Sequence, residues 1–300
     1  MIEYLYKNAT LDKIDIKILG LIRNHARAPL TEIAKKCSIS KQTALYRINR
    51  MVKDKIIKGF HAYIDFKRLG YATYYVFIQT RYIEDEQEFI SALSGIKGCE
   101  IIMKPISQYS YNLKVITKDV YAMVLELQQF FKNKIITSHF ILQRIEKPVE
   151  LVKIDEKDRL ILQELSINCR ISLLELAKIT KLSYDIVHNR MKRLIKSKVI
   201  ENFLTVLNFD GFLYYSVLLK FADDAFDDFL KFNAELKIDP LVMRRFACVG
   251  EYSYMFEIVD NNYVHINDKI NRVRSKYHDL VRYTQIVPIQ NHFFYKTNLG

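Results

Sequence analysis

The chain repeats itself once, at a spacing of 143 residues, and this limits its folding more than any other feature. Asp12, Asp15, Ile18 and Leu19 recur as Asp155, Asp158, Ile161 and Leu162. Leu30, Glu32, Ala34 and Lys35 recur as Leu173, Glu175, Ala177 and Lys178, and Ser40, Arg47 and Arg50 as Ser183, Arg190 and Arg193. Far downstream, Tyr109, Ser110 and Tyr111 recur as Tyr252, Ser253 and Tyr254. One offset serves them all. The period is too long for a solenoid unit, so each copy is expected to be a duplicated subunit. The seam falls at Glu146 to Glu150, a short polar stretch carrying Pro148.

Each copy opens with three helical patterns. Ile14, Ile18, Leu21 and Ile22 recur at helical spacing from about Asp12 to His25. Residues 31–37 read as a second, short helix, and Ser38, Ile39 and Ser40 as a tight connector. Ser40 suits the N-cap of a third helix from about Lys41 to Asp54, with Ala44, Leu45, Ile48, Met51 and Val52 as its apolar face. Residues 56–64 then alternate like a small strand or wing. A short helix, a tight turn and a second helix form the helix-turn-helix pattern. The major groove admits one such helix, and its first turns meet the base edges. Lys41, Gln42, Thr43, Tyr46, Arg47 and Arg50 project from the third helix as candidate DNA-binding residues. His188, Asn189, Arg190 and Arg193 are the candidates of the second copy. These residues would also suit the solvated face of an amphipathic helix; the preceding short helix, the turn and the second copy favour DNA.

Charge placement points the same way. The net charge is +12. Residues 11–68 hold 14 Lys and Arg against 5 Asp and Glu, whereas residues 154–211 hold 10 against 8. Phosphate neutralisation supplies much of DNA affinity, so the first copy is expected to bind more strongly. Asp185 opens the second recognition helix, where it would repel a phosphate. The expectation is an asymmetric reader of double-stranded DNA.

The rest of each copy alternates strands and helices. Residues 71–80, 100–105, 111–117 and 136–145 read as strands, with helices at about 85–93 and 119–131 between them. The second copy repeats this with strands near 214–221, 243–249, 254–259 and 281–294 and helices near 226–236 and 263–277. The order βαββαβ is the ferredoxin-like split unit. The fold class is therefore α+β: a winged helix-turn-helix plus a ferredoxin-like effector domain, the pair present twice. The expected domains are 1–68, 69–148, 149–211 and 212–300. Two helices cover one face of each sheet, yet the strands are apolar on both faces. Packing of the two sheets on each other would make the monomer an internal pseudo-dimer with two DNA-reading heads.

Other function classes lack their residues. Cys37, Cys99, Cys169 and Cys248 stand far apart and the seven histidines are scattered, so no metal or cofactor is expected. With eight glycines the chain carries no G-x-S-x-G, no P-loop and no dinucleotide fingerprint, and a non-enzyme is expected. No run of about 20 apolar residues spans a membrane. The first residues lack an apolar signal segment, which gives a cytoplasmic expectation.

The ordered motifs resemble those of the Lrp/AsnC family of feast/famine regulators. They are Leu11, Asp12, Asp15, Ile18 and Leu19; Leu30, Thr31, Glu32, Ile33 and Ala34; Ser38, Ile39 and Ser40; Arg47, Arg50 and Met51; and Ile56 to Phe60. Gly250, Glu251, Tyr252, Ser253 and Tyr254 match the family's glycine-x-tyrosine-aspartate turn. The resemblance implies dimers built sheet to sheet, often higher homo-oligomers, and an amino-acid or small-metabolite effector near that turn. It makes Ser107, Tyr109, Ser110, Gly250, Tyr252 and Ser253 candidate effector-binding residues. Here Ser110 and Ser253 replace the turn aspartate, and Ser107 replaces the glycine in the first copy. Siroheme decarboxylases share the architecture and are the enzyme alternative. Tyr111 and Asn112 match their tyrosine-asparagine pair, but Ser107 and Tyr109 stand where they carry basic residues. A partner of other regulators that does not bind DNA is the third alternative.

Overall fold

The computed structural model describes residues 11–133, 135–208, 211–222, 226–239 and 241–294. The outermost residues of the first and last expected domains lie outside these. The chain forms two compact units, each drawn from both copies. Of the described residues, one takes those up to Gly70 and from Val149 to Asn208; the other takes Tyr71–Pro148 and those from Gly211 on.

The first unit holds two helix triplets. They are α1 (Lys13–Ile22), α2 (Leu30–Cys37) and α3 (Lys41–Lys53), then α6 (Glu156–Ile167), α7 (Leu173–Thr180) and α8 (Tyr184–Lys196). Asp12 caps α1 by accepting from the amides of Ile14 and Asp15, both at 2.8 Å. Asp15 reaches back to the Asp12 amide, completing a capping box that Asp155 and Asp158 repeat. Ser40 and Ser183 cap α3 and α8. Ser38 and Lys181 end the short helices in the left-handed conformation, φ 55° and 56°, which sharpens both helix-turn-helix corners. Ile18, Leu19, Ile22, Ile33, Ala44, Ile48 and Met51 are buried in the first triplet. Leu45 and Val52, expected on the apolar face of α3, are instead about two-fifths exposed.

Each triplet is followed by one strand, β1 (Ile57–Ile64) and β6 (Ile200–Leu207), and these pair with each other, antiparallel. His61 lies opposite Leu204, its own counterpart at the 143-residue offset. The ladder therefore has a local two-fold axis through that pair. Hydrogen bonds around it come in matched couples. The amides of Ala26 and Cys169 donate to Phe203 and Phe60, each at 2.7 Å. Those of Asp65 and Asn208 donate to Val199 and Ile56 at 2.8 and 2.9 Å. This explains why α1 stops at Ile22 and not at His25: the chain turns to lay His25 and Ala26 along β6. Arg27 donates to the Ile171 carbonyl at 2.9 Å, and the Arg170 guanidinium lies 4.4 Å from the Phe60 ring centre.

The second unit contains β2 (Ala72–Thr80), α4 (Glu86–Ser94), β3 (Cys99–Pro105), β4 (Tyr111–Thr117), α5 (Val120–Lys132) and β5 (Ile136–Arg144). Its second half is β7 (Leu213–Phe221), α9 (Phe226–Ile238), β8 (Val242–Val249), β9 (Tyr254–Asp260), α10 (Tyr263–Lys276) and β10 (Val281–Phe294). Each half is a ferredoxin-like sheet. The sheets do not merely stack. They join at both edges into a closed barrel, β10-β3-β4-β2-β5-β8-β9-β7. Tyr75, Phe77, Met103, Leu142, Leu218, Phe246 and Met255 belong to the core that fills it. Two further cores include the helix residues Phe89, Leu93 and Met123 in one half and Phe232, Ile266 and Ile270 in the other.

The repeat is not ungapped. β4 and β9 keep the offset of 143, but the Thr80 and Phe221 amides donate to the equivalent Ser110 and Ser253 hydroxyls, so β7 is offset by 141. A loss of two residues keeps every side chain on its face, because strands alternate with period two. Gly250 tests the barrel geometry. Its φ is +140°, and a Cβ there would lie 2.5 Å from the Ile141 carbonyl oxygen. Gly250→Ala is expected to lower stability by about 2 kcal/mol in chemical denaturation; an unchanged midpoint would show that this turn is not constrained as described.

Candidate nucleic-acid interface

The α3 surface divides into two parts. Lys41 and Gln42 are exposed on its first turn, and Tyr46 is 66% exposed one turn later. Thr43 is half-buried, its hydroxyl 2.8 Å from that of Ser40. Arg47 and Arg50 turn back into the protein. Arg47 Nη1 lies 2.6 Å from Asp12 Oδ2 and 2.9 Å from Asp15 Oδ1, and Arg50 pairs with the other oxygen of Asp15. Asp15 is fully buried. These two arginines thus clamp α3 to the N-terminus of α1, a task the sequence pattern does not reveal.

The second copy is built alike. Arg190 lies 2.7 Å from Asp155 and 2.9 Å from Asp158, and Arg193 pairs with the buried Asp158. Asn189 is exposed, and His188 is half-buried against the Tyr184 ring. Hydrogen bonding from Arg47 holds the Asp12 carboxyl down at about 2. Asp155 is also lowered, first by the Asp158 amide and then by Arg190. The carboxylates in turn push Arg47 and Arg190 up. Asp185, Lys192 and Lys196 are exposed on α8, and further exposed side chains, not singled out from the sequence, are Asn49 and Lys53 on α3 and Tyr184 and Ile186 on α8. Helical spacing from Lys41 and Asn189 could have found them.

The residues assigned to an effector lie in the second unit, at the β3–β4 and β8–β9 turns. Tyr109 and Tyr252 are buried, Tyr109 edge-on to Phe77 and Phe140 and Tyr252 bonded to Gln285. The Ser110 and Ser253 hydroxyls accept from backbone amides, as does Ser107, from the Tyr109 amide at 3.1 Å. Ser107 and Gly250 are exposed. Asn112, on β4, is wholly buried, and neither of its side-chain polar atoms finds a partner among the described residues. Tyr111 donates to Glu86 at 2.7 Å. The four cysteines are free and buried, with burial pushing the Cys99 and Cys248 thiols up to about 12. Among the described residues no group of His, Cys, Asp and Glu could hold a metal ion, and no helix is long and apolar enough to cross a membrane.

The clamp and the exposed face separate by mutation. Arg47→Ala leaves the buried Asp15 with Arg50 as its remaining basic partner and is expected to cost about 2 kcal/mol in chemical denaturation, whereas Lys41→Ala and Gln42→Ala leave the midpoint unchanged. A mild Arg47→Ala would contradict the clamp. The Asp12 carboxylate stabilises the fold above its unfolded value of about 3.9, and that contribution is lost as pH falls toward 2. The gap in melting temperature between wild type and Asp12→Asn should therefore close on acidification; a constant gap would show that Asp12 is not held as described.

A winged helix-turn-helix DNA-binding family matches residues 11–58, and an AsnC-type helix-turn-helix domain matches residues 154–195. The HTH-type transcriptional regulator Ptr1 of Methanocaldococcus jannaschii is 32% identical over 37% of this chain and 74% of its own length. The regulatory protein AsnC of Haemophilus influenzae is 31% identical over the same shares. The crystal structure of the siroheme decarboxylase NirDL aligns over 94% of this chain and 92% of its own, with a TM-score of 0.67. At 13% identity that is a likeness of fold. Both copies of the helix-turn-helix and the sequence relatives agree, and the chain belongs to the Lrp/AsnC family of transcription regulators, in duplicated form.

Proposed function

We propose that this regulator binds double-stranded DNA as a single-chain pseudo-dimer, with both recognition helices presented by one body. The observation that carries this reading is the β1–β6 ladder, whose two-fold axis passes between His61 and Leu204. A linked pair of heads binds its second half-site at high effective concentration and at a set spacing. The first head, with 14 basic against 5 acidic residues, supplies most of the affinity. Lys41, Gln42 and Tyr46 meet the groove, while Arg47 and Arg50 hold the helix that carries them.

The test is titration of a labelled fragment of the regulator's own upstream DNA. One chain per duplex is expected, with affinity falling by orders of magnitude between about 50 and 200 mM salt. Combined Lys41→Ala, Gln42→Ala and Tyr46→Ala should abolish binding without changing the melting temperature. Wild-type binding no better than to random duplex at low salt would overturn the reading. Modulation by an amino acid or small metabolite at the Ser107 and Gly250 turns is a separate part of it, and would show as a ligand-dependent shift in that titration.

A second reading is a tetrapyrrole enzyme. It draws on the likeness in fold to NirDL, also solved with an iron-uroporphyrin III analogue, and on Asn112 with its polar atoms unpartnered inside the barrel. Against it, much of that interior is taken up by aromatic and aliphatic side chains, and the buried Glu257 carboxylate there is already engaged by Tyr214 and Arg244. Addition of iron-uroporphyrin should leave its absorption spectrum unchanged, and Asn112→Leu should not destabilise the protein. A spectral shift lost in Asn112→Leu would favour the enzyme.

A further inference from the structure

We infer that the two heads read unlike half-sites placed as an inverted repeat, so that the chain lies on its operator in one orientation only. This rests on the DNA-reading function proposed above and specifies its ligand.

The backbone obeys a two-fold. His61 faces its own counterpart Leu204, and the flanking cross-copy hydrogen bonds come in equivalent couples of nearly equal length. Two heads related in this way address half-sites of opposite sense, as two-fold DNA readers do. The residues that build the frame obey the two-fold as well. Ser40 and Ser183 cap the recognition helices, and Arg47, Arg50, Arg190 and Arg193 clamp them on equivalent aspartates.

The exposed reading positions do not. Lys41 and Gln42 of the first helix correspond to Tyr184 and Asp185 of the second. Thr43 corresponds to Ile186, which is 45% exposed, and Tyr46 to Asn189. The chemistry of these pairs differs in kind. The Gln42 amide can both donate to and accept from adenine, and Lys41 can donate to guanine or phosphate. The Asp185 carboxylate only accepts. It is repelled by phosphate, by guanine N7 and O6 and by thymine O4, and is served by an amino donor such as cytosine N4. Ile186 offers an apolar contact to a thymine methyl. A dimer of identical chains must present the same face twice; this chain has kept the frame and varied the face. A perfect palindrome of either half-site then satisfies only one head.

The experiment is selection of duplexes from a random pool by the full chain. The selected duplex is then compared with two palindromes, each made by doubling one half. Two unlike inverted halves are expected, with the selected duplex bound about tenfold or more tighter than either palindrome. Asp185→Ala should relax preference in one half only and Gln42→Ala in the other, with melting temperatures unchanged. Orientation is read by an iron chelate on Lys53→Cys, the four native cysteines being buried; strand cleavage in one half only is expected. Equal affinity for a palindrome, or cleavage in both halves, would overturn the inference while leaving DNA binding intact. Selection of no sequence above a random control would overturn the DNA-reading function and this inference with it.

Discussion

A single β-strand leaves two rows of backbone donors and acceptors to be satisfied elsewhere. β1 is such a strand, since among the described residues its one ladder partner is β6. The partner comes from the other copy, 143 residues away, and the reverse holds for β6. Neither wing is therefore complete within its own copy. The α1–α2 corner of each copy adds to the joint, through the Ala26 and Cys169 amides and through Arg27 and Arg170. These bonds set where one recognition helix sits relative to the other, so the geometry of DNA reading depends on them.

The same problem arises at larger scale in the second unit. A four-stranded sheet has two edges, and an exposed apolar edge invites unwanted pairing. Here the edges of one half pair with the edges of the other, and closure removes them. The two seams are unequal. β10 runs beside β3 from Ile289 opposite Pro105 to Phe294 opposite Ile101, whereas β5 meets β8 over a shorter stretch, at Gln143 and Arg144 and through the Ile145 amide, which donates to the Ala247 carbonyl at 2.8 Å. β5 is followed closely by Pro148, which has no amide proton to extend a ladder. Stacking of two apolar sheets, the simpler expectation, is satisfied inside the barrel by Tyr75 against Phe246, with ring centres 4.8 Å apart.

Local periodicity made the elements legible. Hydrophobic spacing of 3.6 and of 2 marked the helices and strands of both copies to within a few residues, because each element's own pattern records which face is buried. Pairing between elements is not recorded in that way. The β1–β6 ladder joins two strands whose alternation is equally compatible with a wing hairpin. The two-residue deletion ahead of β7 is silent, since it preserves the alternation. Leu45 and Val52 were misplaced because α3 buries a narrower stripe than its apolar residues could fill. The candidate interface was half legible. Lys41, Gln42 and Tyr46 are exposed as helical spacing requires, but no spacing rule distinguishes an arginine facing solvent from one folded back onto Asp12 and Asp15.

That distinction changes how the charge should be understood. Arg47 and Arg50 sit against two carboxylates, and Arg190 and Arg193 against two more, so in each head the clamp is locally neutral. Its field largely cancels at the distance of a phosphate. The excess of 14 basic over 5 acidic residues in the first head, against 10 over 8 in the second, must therefore act through side chains outside the clamp. On and after the recognition helices these are Lys41, Lys53, Lys55 and Lys58 in the first copy, against the single carboxylate of Asp54 over that stretch. In the second, Lys192, Lys196 and Lys198 are offset in part by Asp185 and Glu201. Lysine placement, unlike the clamp, is free to vary without disturbing the fold, because an exposed ammonium contributes little to stability. A duplicated chain can thus hold both heads to one geometry while the affinity and sequence preference of each change independently.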